Sequence, residues 1–188
     1  MNIPSLYESS IPGLPMHRGK VRDVYDLGET LLIVSTDRLS AFDVVFPDPI
    51  PLKGVVLNRL SVWWFNRTTA LVPNHMITAE VDEFPALLKP YRAQLVNRSM
   101  IVKKTKPIAG EFVIRGYLDG SAWTSYQYNK QVCGIELLAG LQRRSCFGAP
   151  LFTPTTKAEE GHDMPIDFAE LVRHVGRREA ETGRDYSN

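Results

Sequence analysis

Short apolar runs separated by glycine and proline divide this chain into small elements. Around Gly28, the segments HRGKVRDVYDLG and ETLLIVST alternate β-branched or aromatic residues with polar ones, which is typical of two strands joined by a turn. The segments HMITAEV, SMIVKKT and EFVIRGYL have the same character and predict further strands. The expected arrangement is a mainly antiparallel sheet.

Helical spacing distinguishes other parts of the chain. Apolar residues recur at helical intervals over 55–70, which predicts an amphipathic helix whose Trp63 and Trp64 pack in a core rather than bind a ligand. Another helix is expected to open at Ser121. A third is expected at Asp167, where a glutamate three residues later completes the spacing of a capping box. Strands and helices mixed in this way favour the α+β class.

Composition narrows the class of protein without assigning a function. The chain has 188 residues, enough for one domain or two small ones, and 44% of them are hydrophobic. Lysine and arginine number 22 against 21 acidic residues, so the net charge of 22 − 21 = +1 does not favour nucleic acid or an anionic membrane as partner. The apolar runs fall far short of the ~20 residues of a membrane helix, and no secretory signal is recognised, so a cytoplasmic protein is expected.

Two cations two residues apart, Lys20 and Arg22, follow Gly19. In a strand, both side chains would leave the same face and could bind a polyphosphate, while the glycine permits a ligand to approach the backbone. The segment is not a Walker A loop, because Val21 stands where Ser or Thr should hold magnesium. These residues leave open a plainer interpretation, a solvated basic strand face.

Two later segments also suit phosphorylated or hydroxylated ligands. The loop STDRLSAFD, residues 35–43, offers hydroxyl and carboxylate groups to sugar hydroxyls, although its side chains could instead cap backbone N–H groups of a turn. Arg115 ends a predicted strand shortly before the helix expected at Ser121. A helix N-terminus with a nearby arginine can bind a monophosphate, but an N-cap serine and a surface ion pair would give the same pattern.

The densest polar segment of the chain runs from Thr153 to Asp163. Its potential metal ligands are too close together to surround one ion, and no second cluster completes a site, so we expect no zinc centre. Lys157, His162 and Asp163 better suit the orientation of a charged amino-acid substrate. The alternative is a solvated loop.

Four blocks together, GKVRDVYDLG, STDRLSAFD, FVIRGYLDGSAW and FTPTTKAEEGHD, closely resemble the SAICAR synthetase family of purine biosynthesis. The resemblance extends from about Gly19 to about Val175. It implies a carbon-nitrogen ligase that uses ATP and Mg²⁺ to join L-aspartate to carboxyaminoimidazole ribonucleotide, giving the succinocarboxamide, ADP and phosphate. It also implies an α+β fold similar to ATP-grasp and protein-kinase nucleotide sites.

The same resemblance implies a division of the chain and a set of site residues. Residues 1–106 would form an antiparallel-sheet subdomain with the strand that binds the ATP phosphates, and residues 107–188 an incomplete second α+β subdomain. The implied nucleotide contacts are Gly19, Lys20, Arg22 and Lys103. The implied substrate contacts are Ser40, Asp43, Arg115, Ser121, His162 and Asp163. The implied catalytic cations are Lys20 and Lys157.

One departure from the family pattern affects the expected activity. The family continues to a strand with an Asp-x-Lys-x-Glu-Phe-Gly pattern, whose acidic residues contact metal and nucleotide, and these 188 residues do not contain it. We therefore assign no metal ligand. The chain is either an enzyme completed by residues supplied elsewhere or a catalytically inactive module that binds nucleotide and ribonucleotide phosphates. A third alternative is an unstable chain with an exposed sheet edge, which self-association would cover.

Overall fold

The computed structural model describes residues 5–42, 44–157 and 163–187. The chain divides into two compact units, Met1–Thr105 and Lys106–Asn188, here called unit 1 and unit 2. Each unit has its own buried apolar clusters and combines strands with helices, so the α+β class expected from the sequence is confirmed.

Unit 1 is organised around an antiparallel sheet. Its strands are β1 (Met16–Arg18), β2 (Arg22–Asp26), β3 (Thr30–Ser35), β4 (Ser40–Ala41), β5 (Val44–Val45), β6 (Met76–Thr78) and β7 (Ser99–Lys103). Five of them form one sheet in the order β1-β2-β3-β7-β6, and β4 pairs with β5 in a separate short hairpin. Every pairing in the five-stranded sheet is antiparallel, as the sequence predicts.

The predicted hairpin around Gly28 is present, because β2 pairs with β3 and Gly28 has a φ of 93° in the connecting turn. Its first strand, however, is shorter than the sequence suggests. The Gly19 N–H donates to the Arg22 carbonyl at 2.8 Å, which closes a tight turn between β1 and β2. Lys20 therefore lies in a turn and not in the strand that contains Arg22, so the condition for a shared strand face is not met.

The predicted helix following this region is α1 (Lys53–Thr68). Its buried residues are Gly54 and Asn58, whereas Trp63 and Trp64 are 51% and 52% exposed. The prediction that the tryptophans pack in a core is therefore wrong. The physical reason is that α1 meets the sheet through the face that contains Gly54, whose added Cβ would overlap the Ser35 carbonyl oxygen. At about 100° per residue, Trp63 lies on the opposite side of the helix from Gly54.

The core of unit 1 lies between the sheet and the segment that joins β6 to β7. This segment contains 3₁₀ turns at Val81–Glu83 and Ala86–Tyr91 and a short helix, α2 (Arg92–Leu95). The sheet buries alternate side chains of β3, which is the period expected of a strand with one covered face. The buried cluster comprises Ile11, Tyr25, Leu32, Val34, Phe84, Leu88, Leu95 and Ile101.

Unit 2 consists of short hairpins and helices. Its elements are β8 (Gly110–Glu111), β9 (Ile114–Tyr117), α3 (Ser121–Asn129), β10 (Gln131–Val132), β11 (Ile135–Glu136), β12 (Cys146–Phe152), β13 (Thr155–Thr156), α4 (Phe168–Val175) and α5 (Arg177–Ser187). The strands form three antiparallel pairs, β8 with β13, β9 with β12 and β10 with β11. The single strand predicted for EFVIRGYL is divided between β8 and β9, because its two parts pair with different partners.

Local sequence signals locate the helix starts of unit 2. The helix α3 begins at Ser121, as predicted, although Gly120 rather than the serine occupies the N-cap position. At α4, the Asp167 carboxylate accepts a hydrogen bond of 2.7 Å from the Glu170 N–H, which confirms the predicted cap. None of the described helices has the length and apolar character needed to cross a bilayer.

Candidate functional site

A buried ion pair lies beneath the turn between β1 and β2 in unit 1. Arg38 is 2% exposed and donates to the fully buried Asp23 carboxylate at 2.8 Å. The Ser9 N–H and hydroxyl donate to the same carboxylate, each at 2.8 Å. Burial raises the pKa of Asp23, but the hydrogen bonds from Arg38 and Ser9 outweigh burial and hold this pKa below its usual value.

A second buried carboxylate, Asp37, joins separate parts of unit 1. It accepts hydrogen bonds of 2.8 Å from the backbone N–H groups of Leu6 and Gly54, and Arg98 approaches it at 3.1 Å. Burial raises the pKa of Asp37, yet these contacts keep it below its usual value. In the loop at 35–43, Asp37 therefore matches the alternative of a carboxylate that caps backbone N–H groups.

The backbone of the 19–22 turn is fixed through its carbonyl groups. Arg38 donates from Nη2 to the Gly19 carbonyl at 2.9 Å and from Nε to the Lys20 carbonyl at 3.1 Å. The Thr36 N–H and hydroxyl donate to the Val21 carbonyl at 3.1 and 2.9 Å. The buried loop that follows β3 thus supports the turn from below, while the Lys20 side chain is exposed.

Positive charge collects around Arg22, which is exposed at the start of β2. Burial lowers the pKa of Lys53, the first residue of α1, and the charges of Arg22 and Arg38 lower it further, against the opposing influence of Asp37. Burial also lowers the pKa of His75, with a smaller effect from Arg22. An anion would relieve this mutual repulsion.

Sequence analysis missed Lys53 and His75 as members of this cationic cluster. For Lys53 the sequence did contain a signal. A cation in the first turn of a helix is unfavourable beside the positive end of the helix dipole, which indicates a role other than stabilising the helix. His75 gave no such signal. It precedes a short strand, and only the folded sheet brings it within electrostatic range of Arg22.

The other residues predicted in unit 1 occupy different places. Lys103 is exposed at the end of β7 and pairs in register with Thr30, whereas Ser99 at the start of β7 pairs with Val34. The two residue pairs are four positions apart along β7, or roughly 13 Å at the rise of a strand. Lys103 therefore lies at the opposite end of the sheet from the 19–22 turn, and only an elongated ligand could contact both.

Ser40 is half-buried in β4, and Asp43 lies outside the described residues.

In unit 2, the structure brings together Arg115 and Ser121, as the sequence analysis proposes. Arg115, half-buried on β9, donates from Nη2 to the Ser121 hydroxyl at 3.0 Å. Its Nε donates to the Thr153 hydroxyl at 3.1 Å, and this hydroxyl in turn donates to the Val113 carbonyl at 3.2 Å. The guanidinium is thus held beside the N-terminus of α3, where helix N–H groups favour an anion.

Two adjoining pockets lie beside this arginine within unit 2. The smaller one is lined by Arg115, Ser121 and Thr155, and the larger one, of about 260 Å³, extends towards the start of α4. The buried Thr155 hydroxyl has no hydrogen-bond partner among the described residues. Since a buried hydroxyl without a partner is costly, this group has unused capacity to bind a polar ligand.

The polar segment after β12 is described only in part. Lys157 is exposed and forms an ion pair with Glu111 at 3.2 Å. Asp163 is exposed, and His162 lies outside the described residues. Within 5–42, 44–157 and 163–187, no group of three or more His, Cys, Asp or Glu side chains could hold a metal ion. The described residues thus contain no ready-made cluster for the magnesium ion implied by the resemblance, and we identify no magnesium ligand among them.

The α+β fold, the cationic cluster around Arg22 and the single arginine held beside the start of α3 are features typical of the class of proteins that bind phosphorylated small molecules. Comparison with known families is more specific, because the family model described as SAICAR synthetase matches residues 15–187. The chain therefore belongs to the SAICAR synthetase family.

Curated relatives agree with this family assignment. The phosphoribosylaminoimidazole-succinocarboxamide synthase of Desulfosudis oleivorans is 52% identical over 184 residues, which are 97% of this chain and 63% of the relative. The enzyme of the same name from Geobacter sulfurreducens is 51% identical over 169 residues, which are 89% of this chain and 57% of the relative. The chain thus spans about three fifths of the length of these relatives.

Solved structures agree with the fold. "SAICAR-synthase from Saccharomyces cerevisiae complexed SAICAR" is 37% identical with a TM-score of 0.87, over 97% of this chain and 63% of that one. "SAICAR synthetase (Type-2) in complex with ADP" is 18% identical with a TM-score of 0.67, over 92% of this chain and 64% of that one, and so supports the fold alone. The family and the fold predicted from the four sequence blocks are confirmed.

Proposed function

We propose that this chain carries the nucleotide- and ribonucleotide-binding part of an ATP-dependent ligase that joins L-aspartate to carboxyaminoimidazole ribonucleotide. The products would be the succinocarboxamide, ADP and phosphate. Relatives about 50% identical to this chain are named as phosphoribosylaminoimidazole-succinocarboxamide synthases, which supports a ligase over an inactive binding module.

The observation that carries the proposal is the Arg115 cluster of unit 2. A guanidinium fixed by Thr153 and directed to Ser121 at the start of α3 offers charge, a hydroxyl and helix N–H groups to one phosphate. Thr155 adds a buried hydroxyl without a partner among the described residues. The 5′-phosphate of the ribonucleotide is the group of the substrate that this chemistry fits.

In unit 1, we assign the ATP phosphates to the 19–22 turn. Gly19 admits close approach, and the exposed Lys20 and Arg22 would spread positive charge over the transferred phosphoryl group. Lys53 would strengthen the same field. Lys103, at the far end of the sheet, would contact the other end of an extended nucleotide.

The reaction class requires that the substrate carboxylate be phosphorylated to an acyl phosphate, which the aspartate amine then attacks with loss of phosphate. The residues of this chain would contribute by binding and orienting the reactants. We assign Lys157, His162 and Asp163 to the orientation of substrate and aspartate, with Lys157 leaving Glu111 to do so. Ser40 and Asp43 are assigned to the ribonucleotide. Magnesium would neutralise phosphate charge, and we assign none of the described residues to hold it.

The first test is calorimetric titration of the purified chain with carboxyaminoimidazole ribonucleotide. We expect Arg115→Met to weaken binding about 100-fold, since a charge-assisted contact to phosphate is lost, while ATP affinity stays unchanged. Arg173→Met removes an exposed arginine of unit 2 by the same substitution and is the control. Equal affinity of Arg115→Met and the unaltered chain would contradict the assignment.

A second test measures ADP formation with ATP, Mg²⁺, aspartate and the ribonucleotide, each omitted in turn. Turnover that depends on all four supports the ligase. Ligand binding by a folded chain without ADP formation supports the inactive binding module instead. Circular dichroism of the same sample establishes that it is folded.

A further inference from the structure

We infer that the buried Arg38 is a positioning residue for nucleotide phosphates, and that it acts by orienting the backbone N–H groups of the 19–22 turn. It would act without touching the ligand. The inference rests on the proposed assignment of the ATP phosphates to this turn.

The argument begins with the hydrogen bonds of one side chain. The Arg38 guanidinium donates to the carbonyls of Gly19, Lys20 and Tyr7 at 2.9, 3.1 and 2.6 Å and to the Asp23 carboxylate at 2.8 Å. A buried guanidinium is tolerated when its donors are bonded and its charge is paired. Here four of its five N–H groups donate hydrogen bonds, and Asp23 pairs its charge. Arg38 therefore has one well-defined position, from which it fixes two consecutive peptide groups of the turn.

The geometry of the peptide bond determines where the N–H groups of these two peptides point. In a planar trans peptide, the carbonyl and the following N–H point in opposite directions, and the described residues include no cis peptide. Because the carbonyls of Gly19 and Lys20 face Arg38, the N–H groups of Lys20 and Val21 are directed away from it. Successive N–H groups on one side of a turn form a concavity that binds anions.

The chemistry of arginine explains why this position is sensitive to substitution. The planar guanidinium presents Nε and Nη2 in a fixed fork, so it can meet two neighbouring carbonyls and a carboxylate together. A lysine at position 38 would keep the charge beside Asp23 but could not hold both carbonyls in that geometry. The turn would then lose its orientation while the buried charge stays paired.

The test compares Arg38→Lys with Arg98→Lys. Arg98 is the matched control, because it is also a buried arginine paired with an aspartate in unit 1, and its side chain approaches Asp37 rather than the turn. Both folded variants are titrated with inorganic tripolyphosphate, with ATP and with adenosine. We expect Arg38→Lys to weaken tripolyphosphate and ATP binding by about 10- to 100-fold, since oriented N–H bonds to a charged group are lost. Adenosine binding stays unchanged, as do all three affinities of Arg98→Lys.

Amide hydrogen exchange on the ligand-free chain gives a second measurement that does not depend on nucleotide binding. Arg38→Lys should change the exchange of the amides at residues 19–22, and Arg98→Lys should not. Unchanged exchange at the turn, unchanged phosphate affinity, or equal losses of ATP and adenosine affinity in Arg38→Lys would each overturn the positioning role. If the unaltered chain binds neither tripolyphosphate nor ATP, the assignment of unit 1 fails and the inference fails with it, whatever the exchange data show.

Discussion

Thr153 fixes the side chain of Arg115, which we propose to bind the ribonucleotide phosphate. The hydroxyl of this fully buried threonine accepts from Arg115 Nε and donates to the Val113 carbonyl. Thr153→Val keeps the shape of the side chain but leaves Arg115 Nε without its acceptor, while the Val113 carbonyl still accepts from the backbone N–H of residue 153. We expect about a 10-fold loss of affinity for the ribonucleotide, the size of one lost hydrogen bond near a charge, and rescue by Thr153→Ser. Calorimetry would contradict this role if the valine variant bound as well as the serine variant.

The buried carboxylate of Asp23 makes stability depend on pH. Since its folded pKa lies below the unfolded value of about 3.9, the carboxylate stabilises the fold above that value, and this contribution is lost as pH falls through the folded pKa. Urea unfolding from pH 7 to pH 2.5 should show the loss below about pH 4. Asp23→Asn should lower the free energy of unfolding at pH 7 by about 3 kcal/mol, the cost of breaking a buried pair. The free energy of unfolding of this variant should also fall less steeply below about pH 4.

The control for this pH prediction is an exposed ion pair. Asp82 also has a lowered pKa, because Arg92 donates to it, but both side chains are exposed. Solvent screens such a pair, so Asp82→Asn should barely change stability at any pH. An equal effect of the two asparagine variants would show that burial of Asp23 is not the cause.

At the scale of elements, α1 meets the sheet through a glycine. Helix propensity alone predicts that Gly54→Ala stabilises the protein, since alanine favours a helix over glycine by roughly 1 kcal/mol. The structure predicts the opposite sign, because the new methyl group would overlap the carbonyl oxygens of Ser35 and Thr36. We expect a loss of about 2–3 kcal/mol in the free energy of unfolding. Gly116→Ala in the strand β9, with no atom within 4 Å of the added Cβ, is the control for a methyl group added without overlap.

The opposite end of α1 gives a complementary prediction. Trp63 is half exposed, whereas Leu88 in the 3₁₀ turn before α2 is 1% exposed. Trp63→Gln should therefore cost less than about 1 kcal/mol, while Leu88→Ala should cost about 2–5 kcal/mol through a cavity in the core. Urea unfolding measures both, and a larger loss for the tryptophan variant would contradict the exposed position of its indole.

Local rules predicted the elements that depend on neighbouring residues. The hairpin at Gly28 and the Asp167 cap of α4 follow from signals within a few positions of each other. The break in the first strand did not, because the guanidinium that fixes the turn belongs to Arg38, 18 positions after Lys20. The exposure of Trp63 likewise depends on which face of α1 meets β3.

In the candidate site of unit 2, likewise, one contact could be predicted from nearby residues and another could not. The pairing of Arg115 with Ser121 follows from a strand end and a helix start six residues apart. Thr153 could not be assigned to this arginine, since the two are 38 positions apart and meet only because β12 pairs with β9.

At the scale of the whole molecule, each unit has a hydrophobic core of its own. Leu118 belongs to a buried cluster of unit 2, and Leu32 to that of unit 1. We expect Leu118→Ala to reduce amide protection within unit 2 and to leave the 19–22 turn unchanged, while Leu32→Ala does the reverse. Hydrogen exchange resolved by residue distinguishes the two patterns. Equal loss throughout the chain in both variants would mean that the units unfold as one.

The positions of the three tryptophans give the units different optical properties. Trp63 and Trp64 are about half exposed on α1, whereas Trp123 is more buried on α3, with its ring centre 5.8 Å from that of Tyr126. Indoles in water emit at longer wavelength and are more readily quenched by iodide than shielded ones. Fluorescence at the red edge of the emission band will therefore be weighted towards unit 1 and fluorescence at the blue edge towards unit 2. The chain thus contains intrinsic spectroscopic reporters that need no attached dye.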